Sequence, residues 1–407
     1  MIVAVVYILI YDRSMKYFFI LGTNAALSVA ELGAVLSLKN FRLLAADFLV
    51  AESEQEIKTT ELILRLGGII KIGRVEVEIK AGSGAELQAA INSLALKRKE
   101  QATEGKFNFG LSDYGRRGFN KQDLGLKLKK YFSEKKISSR FVTSREKTLS
   151  SVVITQNKLL KRGIEIVLVS DDENIIIAET LAVQAFKDLS LRDYGRPARD
   201  DHSGMLPPKL AQIMINLAQV PENAVIMDPF CGSGTILSEA ILMGYKNMFG
   251  SDVAFNAIDN TRKNISWTKE LYKVEDFKLK LFVKNVLDLS KFIKAESLDA
   301  IITEPYLGPQ RGKISFGSVI KNLEELYSAA MAEFLKVLLP GGRVVMVWPM
   351  FYGEHPLNPD YDGFKILNMV SQDLADSEFI KQTNRDTIVY GRPSQKVYRE
   401  VIVLEKL

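Results

Sequence analysis

Cysteine is nearly absent. The 407-residue chain holds one, Cys231, so no intramolecular disulfide can form, which fits a reducing compartment such as the cytoplasm. Histidine is almost as scarce, with His202 and His355 alone. One thiol and two imidazoles cannot build a Cys/His zinc site, and no metal is expected. Long apolar runs are missing too. The opening MIVAVVYILI is too short to span a bilayer, and no basic segment precedes it. It reads as an edge strand, or as sequence ahead of a true start at Met15, since a strand pattern resumes at Lys16–Leu21. A membrane anchor is the least favoured of the three readings. There is no low-complexity tract and no repeat at solenoid periods.

What the chain does hold is ordinary globular material. It is 47% hydrophobic and 25% charged, over a length that favours two or three domains. The formal net charge is +5, unevenly spread. Residues 97–162 carry 18 Lys/Arg against 6 Asp/Glu, so the rest of the chain is net acidic. A basic stretch of this kind points to a polyanion partner, the ordinary alternative being a set of solvated helix faces.

Hydrophobic periodicity divides the chain into 1–95, 96–190 and 191–407. The first part reads as an α/β region of ferredoxin-like type. KYFFILG and FRLLAADFLVA are strand candidates, and SVAELGAVLSL has helical spacing with Ser28 as N-cap and Glu31 three residues on. A short helix around Thr59–Leu66, a Gly67-Gly68 turn and the strand RVEVEIK follow. In the second part FNFGLSDYG reads as a strand. DLGLKLKKYFSEKK reads as an amphipathic helix bearing Lys127, Lys129, Lys130, Lys135 and Lys136. SSRFVT, SSVVITQNKLL and GIEIVLVS read as strands. Tyr114, Phe119, Tyr131 and Phe132 lie among these charges, where aromatics can stack bases or, more commonly, fill a core. Beyond residue 190, Pro207-Pro208 opens a helix. Strand and helix signals then alternate from Ala224, which implies a mostly parallel sheet with helices on both faces. RDTIVYGR and QKVYREVIVLEK have no helix between them and read as a β-hairpin closing the sheet edge.

The densest motif is Asp228-Pro229-Phe230-Cys231-Gly232-Ser233-Gly234-Thr235, set between a buried strand and a helix. Gly232 and Gly234 let the backbone turn tightly and approach a ligand, and the helix N-terminus offers unpaired N–H groups. A dinucleotide fingerprint needs a further glycine at the sixth position, where Leu237 stands. Asp228 would repel a pyrophosphate but suits the ammonium of a methionine moiety, which favours S-adenosylmethionine over a nicotinamide dinucleotide. Asp252, ending the next strand, is placed to accept from both ribose hydroxyls or to cap the following helix. Asp288, after the third strand, can accept from the adenine amine or serve as a cap. The fourth strand ends in Thr303-Glu304-Pro305-Tyr306-Leu307-Gly308-Pro309. Transfer to an aryl amine needs acceptors for its two N–H bonds and a ring to stack the base. Glu304, the Pro305 carbonyl and Tyr306 can fill those roles, with a plain surface turn as the alternative. Cys231 lies in the cofactor loop rather than beside a base, which sets aside thiolate attack on a pyrimidine.

With these residues in place the chain resembles the THUMP-domain tRNA guanine-N2 methyltransferases. DPFCGSGT is similar to their cofactor motif almost letter for letter, and RDYGRPARDDHSGMLPPKLA looks like the lead-in to their catalytic domain. The stretch from FNFGLSDYG to GIEIVLV looks like a THUMP domain, and YGRPSQKVYREVIVLE has the look of the family's ending. The resemblance implies an α/β, Rossmann-like class I methyltransferase domain at 191–407, its sheet ending in a β-hairpin. It implies an α+β N-terminal region before that, with a THUMP-like RNA-binding domain at 96–190. It further implies tRNA as partner, S-adenosylmethionine as cofactor, the N2 amine of a guanosine as target, and a cytoplasmic setting without a membrane partner. Cofactor contacts are implied for Asp228, Phe230, Cys231, Gly232, Gly234, Thr235, Asp252 and Asp288, and catalytic roles for Glu304, Pro305 and Tyr306.

One departure stands out. The family's turn reads Asp or Asn, Pro, Pro, aromatic. Here Glu304 takes the acidic place. Either Tyr306 stands at the second Pro with Leu307 at the aromatic, or Tyr306 is the ring in a loop one residue shorter. Two other readings stay open: a DNA N6-adenine or N4-cytosine methyltransferase, and a catalytically silent RNA-binding protein. Some relatives of the fold work with a small activator subunit, which is an open partner here.

Overall fold

The computed structural model describes residues 14–407 except 83, 103–104, 116–117, 172, 200–204, 310–315 and 393–394. The apolar opening run thus lies outside the described residues. The chain forms two compact units. Residues 14–20, Ser37–Leu62 and Ile70–Val183 make the first, and Leu21–Leu36, Ile63–Ile69 and Gln184–Leu407 the second. No helix among the described residues is long and apolar enough to cross a membrane.

In chain order the N-terminal elements are β1 (Met15–Leu21), α1 (Ala25–Val35), β2 (Lys39–Ala45), β3 (Phe48–Ser53), α2 (Thr59–Arg65), β4 (Ile69–Lys80) and α3 (Gly84–Gln101). There follow β5 (Phe107–Asp113), α4 (Lys121–Glu134), β6 (Ser139–Val142), α5 (Ser151–Gln156), α6 (Leu159–Arg162), β7 (Gly163–Ser170) and β8 (Asn174–Val183). Their strands form one sheet in the order β2-β3-β1-β4-β8-β7-β5-β6. The expected division at 95/96 falls inside α3, and strands from both sides of it share this sheet.

Alternation along β7 and β8 explains the core of this unit. Ile164, Ile166, Leu168 and Ile177 face one way, against Ile91 and Ala95 of α3 and Leu128 and Phe132 of α4. Val167, Val169, Ile176 and Ala178 face the other way, with Phe18, Ile20, Phe48 and Val50. Three local expectations change. FRLLAADFLVA is two strands with a turn at Ala46–Asp47. SSVVITQNKLL is helical, as α5 and α6, because Ser150 caps Val153 N–H and only Ile154 and Leu159 turn inward. The cap of α1 is Asn24, whose Oδ1 accepts from Leu27 N–H at 3.0 Å, rather than Ser28.

The second unit adds α7 (Phe186–Tyr194), α8 (Pro208–Leu217), β9 (Val225–Asp228), α9 (Thr235–Leu242), β10 (Asn247–Asp252), α10 (Phe255–Tyr272), β11 (Lys278–Val283) and β12 (Leu298–Thr303). After these come α11 (Phe316–Val337), β13 (Leu338–Phe351), β14 (His355–Pro356), β15 (Phe364–Ile366), α12 (Gln372–Ala375), β16 (Ile388–Tyr390) and β17 (Val397–Lys406). The sheet runs β11-β10-β9-β12-β13-β17-β15, parallel from β11 to β13. β16 and β17 pair antiparallel, and β16 shares with β15 the side of β17 that faces away from β13, so the expected hairpin does close this edge of the sheet. This unit also takes in α1. Glu31 of α1 is buried and accepts from Gly67 N–H at 2.9 Å, Gly68 N–H at 2.8 Å and Asn216 Nδ2 at 2.8 Å. Burial outweighs those bonds and pushes its carboxyl up to about 7.

Candidate active site

The strand order turns back between β9 and β12, and sheets of this kind bind ligands at the carboxyl ends of the strands beside such a reversal. β9 is short and buried, and its last residue, Asp228, is 2% exposed. Asp228 Oδ1 accepts from Thr303 Oγ1 at 2.6 Å and from Phe230 N–H at 3.2 Å. Burial first, then the nearby Asp252 and Glu304 charges, push its carboxyl up to about 7 against those two bonds.

The loop after Asp228 is fixed from behind. Gly232 (φ +52°) and Gly234 (φ +80°) take left-handed conformations, and a Cβ on Gly234 would come within 2.8 Å of Thr261 Cγ2. Thr261 Oγ1 donates to the Gly232 carbonyl at 2.8 Å. Asn264 Nδ2 donates to the carbonyls of Ser233 at 2.8 Å and Ala198 at 2.9 Å, and its Oδ1 accepts from Ala198 N–H at 3.0 Å. α10 therefore clamps both the loop and the segment that leads to α8. Cys231 is buried, and that burial pushes its thiol well up, so it is not poised as a nucleophile.

Asp252 serves the loop and the next helix together. Its Oδ2 accepts from Gly232 N–H at 3.0 Å and its Oδ1 from Ala254 N–H at 2.9 Å. Asp288 is placed elsewhere. It lies in a 3-10 turn, Val286–Lys291, pairs with Lys291 Nζ at 2.5 Å, and stands apart from the residues lining the cavity. The turn leaves its side chain half exposed outside the lining, where Asn285, the N-cap of that turn, stands instead. After β12, Glu304 is gripped by Arg399 of β17, with Nε 2.9 Å and 3.1 Å from its two carboxylate oxygens and Nη2 2.9 Å from Oε1. Tyr306 is 58% exposed and its carbonyl accepts from Tyr327 Oη at 3.0 Å, whereas Leu307 is buried.

These pieces surround a cavity of about 450 Å³. Asp228, Phe230, Cys231, Gly232, Thr235, Asp252, Glu304, Pro305 and Tyr306 line it, and Gly234 shapes it from the N-cap position of α9. Met205, Leu206, Val253, Asn285, Val286 and Leu326 line it too, and sequence reasoning missed them. Asn285 had a signal, its place two residues past a parallel strand. Arg399 had none, being 95 residues from its partner. Among the described residues the lining carries three carboxylates and no Lys, Arg or His. Such walls suit a ligand with cationic groups and disfavour a pyrophosphate. The three carboxylates and the glycine cradle fit S-adenosylmethionine, whose sulfonium and α-ammonium are cationic. Among the described residues no group of three or more His, Cys, Asp or Glu is arranged to hold a metal ion.

Comparison with known proteins agrees with this chemistry. Residues 196–350 match the family model described as UPF0020: RMKL-like, methyltransferase domain. A tRNA (guanine(10)-N2)-dimethyltransferase of Methanocaldococcus jannaschii is 34% identical over 157 residues, covering 37% of this chain and 44% of that protein. The U6 snRNA (guanine-N(2))-methyltransferase THUMPD2 of Bos taurus is 30% identical over 147 residues, covering 36% of this chain and 26% of that one. The chain thus spans under half the length of these curated relatives. TrmN from Thermus thermophilus shares the fold, with a TM-score of 0.54 at 18% identity over 96% of this chain and 100% of that one. The likeness to guanine-N2 methyltransferases expected from the motifs is therefore met by direct comparison over the matched stretch, and the α/β fold is the one that TrmN shows.

Proposed function

We propose that the protein is an S-adenosylmethionine-dependent methyltransferase acting on the exocyclic N2 amine of a guanosine in tRNA. The observation that carries this reading is the anionic cavity beside β12, with Glu304, Pro305 and Tyr306 together on its wall. The matched relatives support guanine N2 as the target atom, and one of them supports tRNA as the carrier. When bound, S-adenosylmethionine supplies an electrophilic methyl carbon. Asp228 holds the cofactor's ammonium, and Asp252 and Asn285 serve its nucleoside end. Glu304 accepts one N–H of the target amine through a lone pair that Arg399 leaves open, and the Pro305 carbonyl accepts the other. Tyr306, rather than the buried Leu307, offers its exposed ring to the base. Glu304 also receives the proton that the nitrogen loses after transfer.

In this reading residues 191–407 are catalytic, and the THUMP-like stretch 96–190 docks the RNA. Its support is the exposed row Lys127, Lys129, Lys130, Lys135 and Lys136 on and just after α4. The setting is cytoplasmic, consistent with a single thiol that needs no oxidising compartment. A small activator subunit is an additional candidate partner.

The test uses the purified protein, unmodified bulk tRNA and methyl-labelled cofactor, with the labelled nucleoside identified after digestion. N2-methylguanosine or its dimethyl form is expected. Glu304→Gln should retain cofactor affinity and lower turnover by roughly a hundredfold or more. Label in another nucleoside would overturn the substrate. Cofactor binding without any label, with candidate activator subunits also supplied, would leave an RNA-binding protein instead of an enzyme.

A further inference from the structure

Arg196 has no part in the chemistry above, yet its position is unusual. It follows α7, is 7% exposed, and donates from Nη1 to Thr235 Oγ1 at 2.5 Å. Its Nε and Nη2 are buried and have no hydrogen-bond partner among the described residues. Of the carboxylates around it, Asp193 acts on it most strongly but makes no hydrogen bond to its Nε or Nη2, and Glu239 is already held by Arg192 at 2.7 Å. Burying a guanidinium with two unmade bonds is costly, so the site needs a reason.

Thr235 supplies one. It is the first residue of α9, and it lines the cavity. Because its hydroxyl oxygen accepts from Arg196, its own proton is left to donate elsewhere. The first-turn N–H groups of α9 add positive potential at the same point. The segment carrying Arg196 is also registered against the loop, since Asn264 bonds both Ala198 and Ser233. The rest of the wall is anionic. A methionine-type end carries an ammonium, which Asp228 can receive, and a carboxylate, which Asp228, Asp252 and Glu304 would all repel. Arg399, the guanidinium behind Glu304, is committed to that carboxylate, which leaves Arg196 behind Thr235 as the cationic counterpart at the N-terminus of α9.

We propose that Thr235, polarised by Arg196, holds the α-carboxylate of the cofactor, with Arg196 as the positioning residue that supplies the countercharge. This rests on the proposed function, because it takes S-adenosylmethionine as the ligand of the cavity. An RNA phosphate is the competing anion.

Calorimetric binding separates these cases. Wild-type protein, Arg196→Gln and Thr235→Val are titrated with S-adenosylmethionine and with its decarboxylated form, which keeps the amine and sulfonium but lacks the carboxylate. The expected result is a wild-type preference for the carboxylated ligand of about tenfold to a hundredfold. Both variants should lose that preference while binding the decarboxylated ligand as the wild type does. Arg196→Lys should restore part of it. Equal weakening of both ligands in Arg196→Gln would make the residue merely structural and overturn the proposal. Unchanged cofactor affinity with weakened tRNA binding would assign the guanidinium to a phosphate instead. Failure of the wild type to bind either ligand would sink the reading of the cavity itself, a signature distinct from the other two.

Discussion

Asp228 is a carboxyl group that the fold holds in an unfavourable place. Burial and two neighbouring carboxylates raise it to about 7, from an ordinary 3.8. A raised carboxyl means that the folded protein binds this proton more tightly than the unfolded chain does. Folding stability without cofactor is therefore expected to fall as pH rises through the window from about 4 to 7, and to level off above it. Glu31, raised to about 7 by its own burial, acts in the same window and with the same sign. Melting of the cofactor-free protein between about pH 5 and pH 8 should show this slope, and Asp228→Asn should flatten part of it. Binding of a cationic cofactor near neutral pH should release a proton, seen as a buffer-dependent enthalpy. An identical slope in wild type and Asp228→Asn would contradict the assignment. Asp228, Asp252 and Gly234 were legible in the sequence because strand, turn and helix follow one another within a few residues. Asp288 falls outside the cavity lining for the converse reason, because a single 3-10 turn decides whether a residue after a strand joins that lining.

The C-terminal strand β17 works on both faces. Arg399 points to Glu304, while Glu400, one residue on, points the other way to Arg385 at 2.7 and 2.5 Å. Glu304 and Arg399 are both nearly buried, so removing one partner strands a charge. Arg399→Gln is expected to lower turnover on RNA with little change in cofactor affinity, and to cost on the order of 2–4 kcal/mol in stability. Pairing it with Glu304→Gln should recover much of that stability, measured by denaturant titration. Additive losses in the double variant would show that the pair is not coupled. Pattern alone identified β17 as a strand but gave neither its neighbours nor its register. Likewise the β-branched run in SSVVITQNKLL suggested a strand, yet a serine cap and two inward residues at helical spacing settle it as helix.

At the scale of the whole chain, the alternation of strand and helix after Ala224 made the second sheet readable, whereas the first unit hid its main device. Lys71 is buried and donates to Glu165 Oε1 at 2.7 Å and to the Leu149 carbonyl at 2.6 Å, while Ser112 and Thr180 hydroxyls donate to the same carboxylate at 2.5 Å each. No local pattern marks a lysine and a glutamate 94 positions apart as a core pair. Lys71→Met should destabilise the first unit by roughly 3–5 kcal/mol, visible as an earlier thermal transition, while cofactor affinity below that transition keeps its value. An unshifted transition would show the network to be dispensable. The second unit is discontinuous in sequence, since α1 belongs to it although nearly the whole first unit is encoded in between. Glu31 and Asn216 are 185 residues apart, so at ribosomal rates of roughly 5–20 residues per second α1 emerges about ten to forty seconds before its partner. During synthesis the apolar α1 segment waits for its surface, and a gene fragment begun at residue 184 would encode the second unit with that helix left behind.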